Sequence, residues 1–589
     1  MDTSRLGLRV RQLFAVALLG GAFAGALSIA RGARLDEADF TFNNGTEVQT
    51  LDPATVTGVP EGRVIRALFE GLVVKHPETL EPVPGVAERW EVSEDGLVYT
   101  FHLRKDAKWT NGDVVDADDF MFSFERFLNP LTAAEYAYQL WYVAGAKAYT
   151  TEVNEQGGPL NSFGSVGIKK VDDFTLTMEL KSPTPYFLDL CGFYPLFPVN
   201  RENIEDAQRR FPNSWRHEWL KPENIVTNGP YKVDFRRVND RIRLVRNDEY
   251  WDRDNVAFDS IDVLAIEQDS TMLNLYLTGG ANYIDRVNTS VVDDLLPRPD
   301  FNPTPYLGSY FYRVNTTKPP FDDARVRRAL ALTIPRRTIA EKVMKMGQQP
   351  AMGFVPPGIS GYMNSDMRGG DLEEARQLLA EAGFGPGGKA FPTVEIHYNT
   401  SEAHKKIAEV IADEWSRVLG VKAKLLNQEW KVYLDTQSNK DYDVSRSAWI
   451  GDYTDPNTFL DMFVTDGENN KTGWGDTRYD ELISKAGREL DPARRMELLR
   501  EAETLLMEEL PVLPIYYYVT QNVVDPRLGG FFENIQDEHF PKFWYWMDDE
   551  ELRTRCESEG WDYSEVLGIS HGPSGGLYSA AQELERSAR

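Results

Sequence analysis

Asp452 and Asp455 stand three residues apart, between Gly451 and Pro456, in a chain of 589 residues. Two carboxylates at that spacing can divide acid and base work or hold a ligand cation. Beside a proline they can equally well shape a turn. Arg313 sits in the aromatic run Tyr310-Phe311-Tyr312-Arg313-Val314; a charge in such a strand is either paired with a carboxylate or open to one. Tyr516, Tyr517 and Tyr518 follow Pro514-Ile515. Alternate side chains of a strand face opposite sides, so one of these rings can line a cleft. One G-x-S-x-G match occurs, Gly568-Ile569-Ser570-His571-Gly572. A nucleophile elbow needs a core strand before it, a helix after it, and an Asp and a His downstream in hydrolase order. The polar tail around Ser570 supplies none of these. The seven histidines are scattered without metal-ligand spacing, and HExxH, the P-loop and GxGxxG are absent. No metal and no cofactor are therefore expected.

The elements that must position these residues are clearest between 371 and 450. Asp371 can cap a helix with Leu372, Ala375, Leu378, Leu379 and Ala382 on one face, stopped by Gly383. Residues 393–398 read as a strand. Residues 404–419 carry Ile407, Val410, Ile411, Trp415 and Val418 at helical spacing, and Gly420 ends the helix. Residues 421–426 read as a second strand, so 393–426 forms a βαβ unit with a parallel strand pair. Residues 442–449 form a further strand that runs into Gly451-Asp452-Tyr453. Ligands gather beyond the carboxyl ends of strands in open α/β sheets, which makes Asp452 a candidate site residue. Residues 98–103 and 241–245 also read as strands, the first behind an Asp95-Gly96 turn.

Composition narrows the class. Acids number 92 against 64 lysines and arginines, a net charge of −28. Phosphate backbones require the opposite balance, which argues against a general nucleic-acid binder and leaves room for a local basic pocket. Two cysteines, Cys191 and Cys556, exclude a disulfide scaffold. Residues 1–33 combine Arg5, Arg9 and Arg11 with an apolar stretch from Leu13 to Ala30 and small residues after it. That is the pattern of a cleavable secretory signal peptide, and it places the mature protein outside the cytoplasm. The rival reading of the same stretch is an uncleaved membrane anchor. From 546 to 589 the chain becomes an acidic extension with a Gly/Pro/Ser cluster, read as peripheral or partly disordered.

Several blocks resemble the peptide-binding class of ABC-transporter solute receptors, family 5. They are Thr41 through Pro53, Val86-Ala87-Glu88-Arg89-Trp90, Asp95 through Arg104, and Lys108-Trp109-Thr110-Asn111-Gly112. Further blocks are Ile225 through Tyr231, Asp323-Ala324-Arg325-Val326-Arg327, Asn399-Thr400-Ser401, and Pro514 through Val519. The likeness runs from about 38 to 545. It implies an α/β, two-lobed periplasmic-binding-protein fold (type II, large peptide-binding class) with an extra α+β domain. Lobe I would comprise 36–69, 203–307 and 520–545, accessory domain II 70–202, and lobe III 308–519. The function implied is that of a periplasmic receptor, a monomer and not an enzyme. It would bind oligopeptides in extended form between closing lobes and deliver them to the permease and ATPase subunits of an importer, touching the membrane only through the permease.

By the same resemblance Asp452 meets the peptide ammonium, and Arg446 and His404 approach its carboxylate. Val59, Tyr136, Trp449, Ile450, Asn469 and Tyr518 match cleft positions. The charge map departs from that of the oligopeptide-binding members. Thr57 and Arg313 replace acids, Arg286 replaces an Asn, Gln437 replaces a base, and Met344 replaces a Lys beside Lys345. The gain of Arg313 and Arg286 predicts acidic or carboxyl-rich ligands, for which a murein-peptide receptor of the same family is the alternative. The alternative of a different class is a secreted hydrolase using Ser570 or the Asp452/Asp455 pair.

Overall fold

The computed structural model describes residues 35–569 apart from Pro386, Glu429 and Glu468, so the signal-peptide segment and Ser570 lie outside the described residues. Two six-stranded mixed sheets organise the chain. In the first, the spatial order is Val523–Val524, Tyr283–Ile284, Phe40–Asn43, Ser260–Leu264, Arg241–Arg246 and Tyr231–Arg237. In the second it is Gln349–Pro350, Val512–Val519, Pro305–Val314, Val444–Ile450, Val394–Asn399 and Ala423–Gln428. An antiparallel four-stranded meander, Ala87–Val92, Val98–Leu103, Thr175–Glu179 and Ile168–Asp172, stands apart from both.

The expected βαβ unit is present. Val394–Asn399 and Ala423–Gln428 pair in parallel, joined by the helix Glu402–Leu419. Ser401 caps that helix by accepting from the His404 N–H, and Ile407, Ile411, Trp415 and Val418 form its buried stripe. Gly420 ends it at φ +69°, a conformation that costs glycine little.

The chain crosses between the two large sheets twice, side by side. Thr520 N–H donates to Thr304 C=O at 2.9 Å, and Thr304 N–H donates to Thr520 Oγ1 at 3.0 Å. Phe301 bridges Val523 just beyond. Two short crossing strands are the simplest hinge, since few dihedrals need change for the lobes to move. One core unites the first sheet with the meander domain. The other fills the second lobe and takes in Met272, Tyr276 and Leu295 from the segment before the crossing.

The described part of the acidic extension is ordered into two helices, Asp549–Glu559 and Tyr563–Ile569, around Leu552, Cys556 and Val566. Asp548 and Glu551 form a capping box, and Arg555 donates to the carbonyls of Pro526 and Leu528. Cys191 and Cys556 are both buried free thiols in separate cores.

Candidate functional site

The site is built at the mouth of the second sheet. Strand Val444–Ile450 ends at Gly451, whose N–H donates to Leu307 C=O at 2.8 Å on the neighbouring strand. A Cβ at Gly451 would meet Leu307 Cδ2 at 2.7 Å and Cγ at 2.9 Å, so a larger residue here would force the Leu307 side chain to shift. Asp452 follows. Its N–H donates to Thr458 Oγ1 at 3.2 Å. Among the described residues no cation pairs with its carboxylate. Burial pushes its pKa up to about 6, and the nearest opposing charge, Lys75, is engaged with Gln536 and Glu538. A carboxylate held that way is stabilised by an incoming cation.

Tyr136 and Tyr138 of the meander domain face it. Burial and then the Asp452 charge raise both phenol pKa values. Tyr136 Oη also donates to Thr57 C=O at 3.4 Å, which draws the exposed start of the helix Val59–Leu68 into the same neighbourhood. Asp461 adds a second carboxyl nearby. Burial, then Asp452 and Asp455, push it up to about 7. Tyr453 stacks on Tyr186 at 4.6 Å and 10°, joining the second lobe to the meander domain.

Four residues up the strand from Ile450, the charge reverses. Arg446 donates to Asn399 Oδ1 at 3.2 Å and to Tyr518 Oη at 3.1 Å, and lies 4.8 Å over the Tyr310 ring. Its Nε is buried without a partner. Tyr310 Oη meets His404 Nδ1 at 3.2 Å. Burial, aided by the Arg446 charge, holds His404 down to about 3, so the imidazole is neutral and adds hydrogen bonding without charge. Tyr516 stacks on Tyr310 at 4.6 Å, while Tyr517 faces the other side and donates to Gly353 C=O.

The opposite face of the same strand carries Trp449, with its Nε1 buried and unpartnered. Arg313 donates to Ser447 Oγ at 3.1 Å and to Asn469 C=O at 2.9 Å. Ile450, 36% exposed, lies at the strand's end. Arg286 lies elsewhere. It is spent within the first lobe on Asp269 and on the carbonyls of Gly45 and Glu267.

Sequence reasoning missed Tyr138, Asn399 and Asp461. Asn399 ends the strand parallel to Val444–Ile450, so the strand-end argument that found Asp452 would also have found it. A cavity of about 1120 Å³ on the first lobe, lined by Asp39, Phe258, Asp259 and Trp546, includes none of these residues.

Arg446 and Asp452 are six residues apart on one nearly extended segment, at most ~20 Å. Among the described residues, one end of the site thus presents a carboxylate and the other a guanidinium, neither in an ion pair. That polarity suits a zwitterion laid along the strand.

Residues 81–471 match the family model for the bacterial extracellular solute-binding proteins, family 5. The chain is 38% identical over 531 residues to the periplasmic oligopeptide-binding protein OppA of Escherichia coli (strain K12), covering 87% of this chain and 94% of that one. Its structure is similar to the unliganded open form of the murein tripeptide binding protein MppA. The TM-score is 0.74, with 34% identity and coverage of 88% and 99%. It is also similar to Haemophilus influenzae OppA in complex with RPPGFSPFR, at TM-score 0.72, with 32% identity and coverage of 87% and 100%.

Proposed function

The chain belongs to the bacterial extracellular solute-binding proteins of family 5, and from that premise we propose that it is the substrate-binding component of an ABC importer for oligopeptides. It holds them extended between two closing lobes and is not an enzyme. Its working place is outside the cytoplasm, in the periplasm, reached through the signal peptide of residues 1–33. It works as a monomer that hands its ligand to the permease and ATPase subunits. The domain limits given above, with lobe I at 36–69, 203–307 and 520–545, are part of this reading.

The observation that carries it is the pair of unsatisfied opposite charges, Asp452 and Arg446, on one strand and its exit. Asp452 receives the α-ammonium, with Tyr136 and Tyr138 closing over it from the meander domain. Arg446, oriented by Asn399 and Tyr518, receives the α-carboxylate, with neutral His404 behind. A peptide main chain offers the same donors and acceptors whatever its side chains, so affinity can coexist with broad specificity. Ligand touching both lobes stabilises only the closed state, which makes closure the signal of occupancy.

Calorimetric titration of tri- to pentapeptides into protein unfolded and refolded to strip bound ligand tests this reading. Free peptides should bind, and their N-acetylated and C-amidated forms should bind far more weakly. Equal binding of blocked peptides would require a different polarity for the site. A murein tripeptide is the second reading, favoured by the extra cation at Arg313; binding of that ligand alone, with no α-peptide, would select it.

A further inference from the structure

Eight arginines have side chains buried in the described structure. Five lie against a carboxylate. A sixth, Arg336, is satisfied by the carbonyls of Ala331, Ala351 and Pro514. The two that remain are Arg446 and Arg313, and both lie on the strand pair at the mouth of the second sheet. A buried guanidinium with neither an anion nor a full set of carbonyl acceptors is costly. Arg446 has its partner in the reading above, the ligand's terminal carboxylate. Arg313 has none.

Arg313 is 5% exposed and stands opposite Ser445 on the antiparallel neighbour. Its face carries Ser445, Ser447 and Trp449, whereas Arg446 points to the other face, so one carboxylate cannot serve both guanidiniums. Its two hydrogen bonds go to a neutral hydroxyl and a neutral carbonyl. Burial pushes its pKa down, and only the phenols of Tyr442 and Tyr433 oppose that. The bond to Ser447 tilts the guanidinium toward the cleft end of the strand, and Asn469, which caps it, is exposed. Two positions beyond Ser447, Trp449 holds its Nε1 buried and unbonded. Guanidinium, indole N–H and the unspent Ser447 hydroxyl proton are all donors along one face of the strand, a set that suits a group accepting several hydrogen bonds.

The geometry points to Arg313 as the anchor of a side-chain subsite for an acidic residue of the bound peptide. The subsite rests on the oligopeptide reading and narrows it: the ligands bound best carry a carboxylate side chain besides the terminal one. Arg313, Ser447 and Trp449 are specificity-determining residues, and main-chain binding does not depend on Arg313.

The test is a positional scan by calorimetry, placing Glu, Gln or Lys at each position of an otherwise all-alanine tetrapeptide, on the wild-type protein and on Arg313→Met and Arg313→Lys. One position should favour Glu over Gln by at least tenfold and disfavour Lys. Arg313→Met should erase the Glu preference while binding tetra-alanine within about threefold of wild type, which also certifies its fold. Arg313→Lys should retain part of the preference. Tetra-alanine binding with no Glu preference anywhere, or a preference unchanged in Arg313→Met, overturns the subsite and leaves the oligopeptide reading standing. Equal losses for every peptide in both variants would make Arg313 a structural tie and overturn it too. No binding by any tetrapeptide, in protein shown to be folded by its cooperative melting, overturns both.

Discussion

Asp452 and Asp455 share one loop, lie three residues apart, and are held in opposite ways. Asp455 is 5% exposed and doubly bonded to Arg495, which is itself 1% exposed and lies over the Tyr186 ring. Its other carboxylate contact accepts from Asn457 N–H. Every part of that carboxylate is spent on structure. Among the described residues Asp452 keeps only the bond from its own N–H, and its carboxylate faces phenols without an ion-pair partner, Lys75 being engaged elsewhere. Acid content therefore says little about where a ligand binds; an unspent charge says more. The same contrast separates Arg495 from Arg446, and it removes the Asp452/Asp455 pair as hydrolytic machinery, because Asp455 is already neutralised.

The largest expected effect breaks the structural member of the pair. Asp455→Ala leaves Arg495 buried and unpaired and should cost about 3–5 kcal/mol in unfolding free energy by denaturant titration. A cost below about 1 kcal/mol would mean the two aspartates are not as different as their contacts. Asp452→Asn should do the reverse. Free-amine peptides should lose at least ~100-fold in affinity, as expected when one partner of a buried charge pair is removed. The ligand-free fold should be unharmed, or steadier by about 1 kcal/mol at pH 7. Because the Asp452 pKa is raised in the folded state, the wild type pays for this charge above about pH 6 and recovers as pH falls and the carboxyl is protonated. The Asn variant's advantage should thus shrink between pH 7 and pH 4.

Acid should sharpen the contrast in binding as well. Wild-type affinity should fall as pH drops below about 6, approaching tenfold per unit, whereas Asp452→Asn should be flat there. His404, already neutral, should add no inflection between pH 5 and 8. The smallest effect concerns the extension. Removing residues 548–589 discards the two helices and Ser570 and should leave peptide affinity within about twofold by calorimetry. A peptide-hydrolysing activity present in the full chain and lost on truncation would instead revive the hydrolase reading.

What was legible in the sequence follows the range of the interaction. The 393–426 unit and the 98–103 strand declare themselves through local period and turn residues, and the strand-end rule led to Asp452 before any contact was known. The crossing strands do not, because Thr304 meets Thr520 across 216 positions and nothing local marks either. Arg313 could be read as paired or open, and only the structure distinguishes it from Arg495. Arg286 looked equally available, yet Asp269, 17 residues away, engages it. The tail's helices did carry a signal, the Asp548 and Glu551 cap and Gly560 at φ +71°, which its acidic composition obscured.

Asp452 as the ammonium anchor is the contact on which peptide binding turns. A double-mutant cycle tests it most directly: one tetrapeptide, free and N-acetylated, titrated against wild type and Asp452→Asn. Acetylation should cost the wild type at least ~100-fold and the variant almost nothing, since the lost charge no longer has a partner. An equal cost in both proteins would place the ammonium elsewhere and contradict the account.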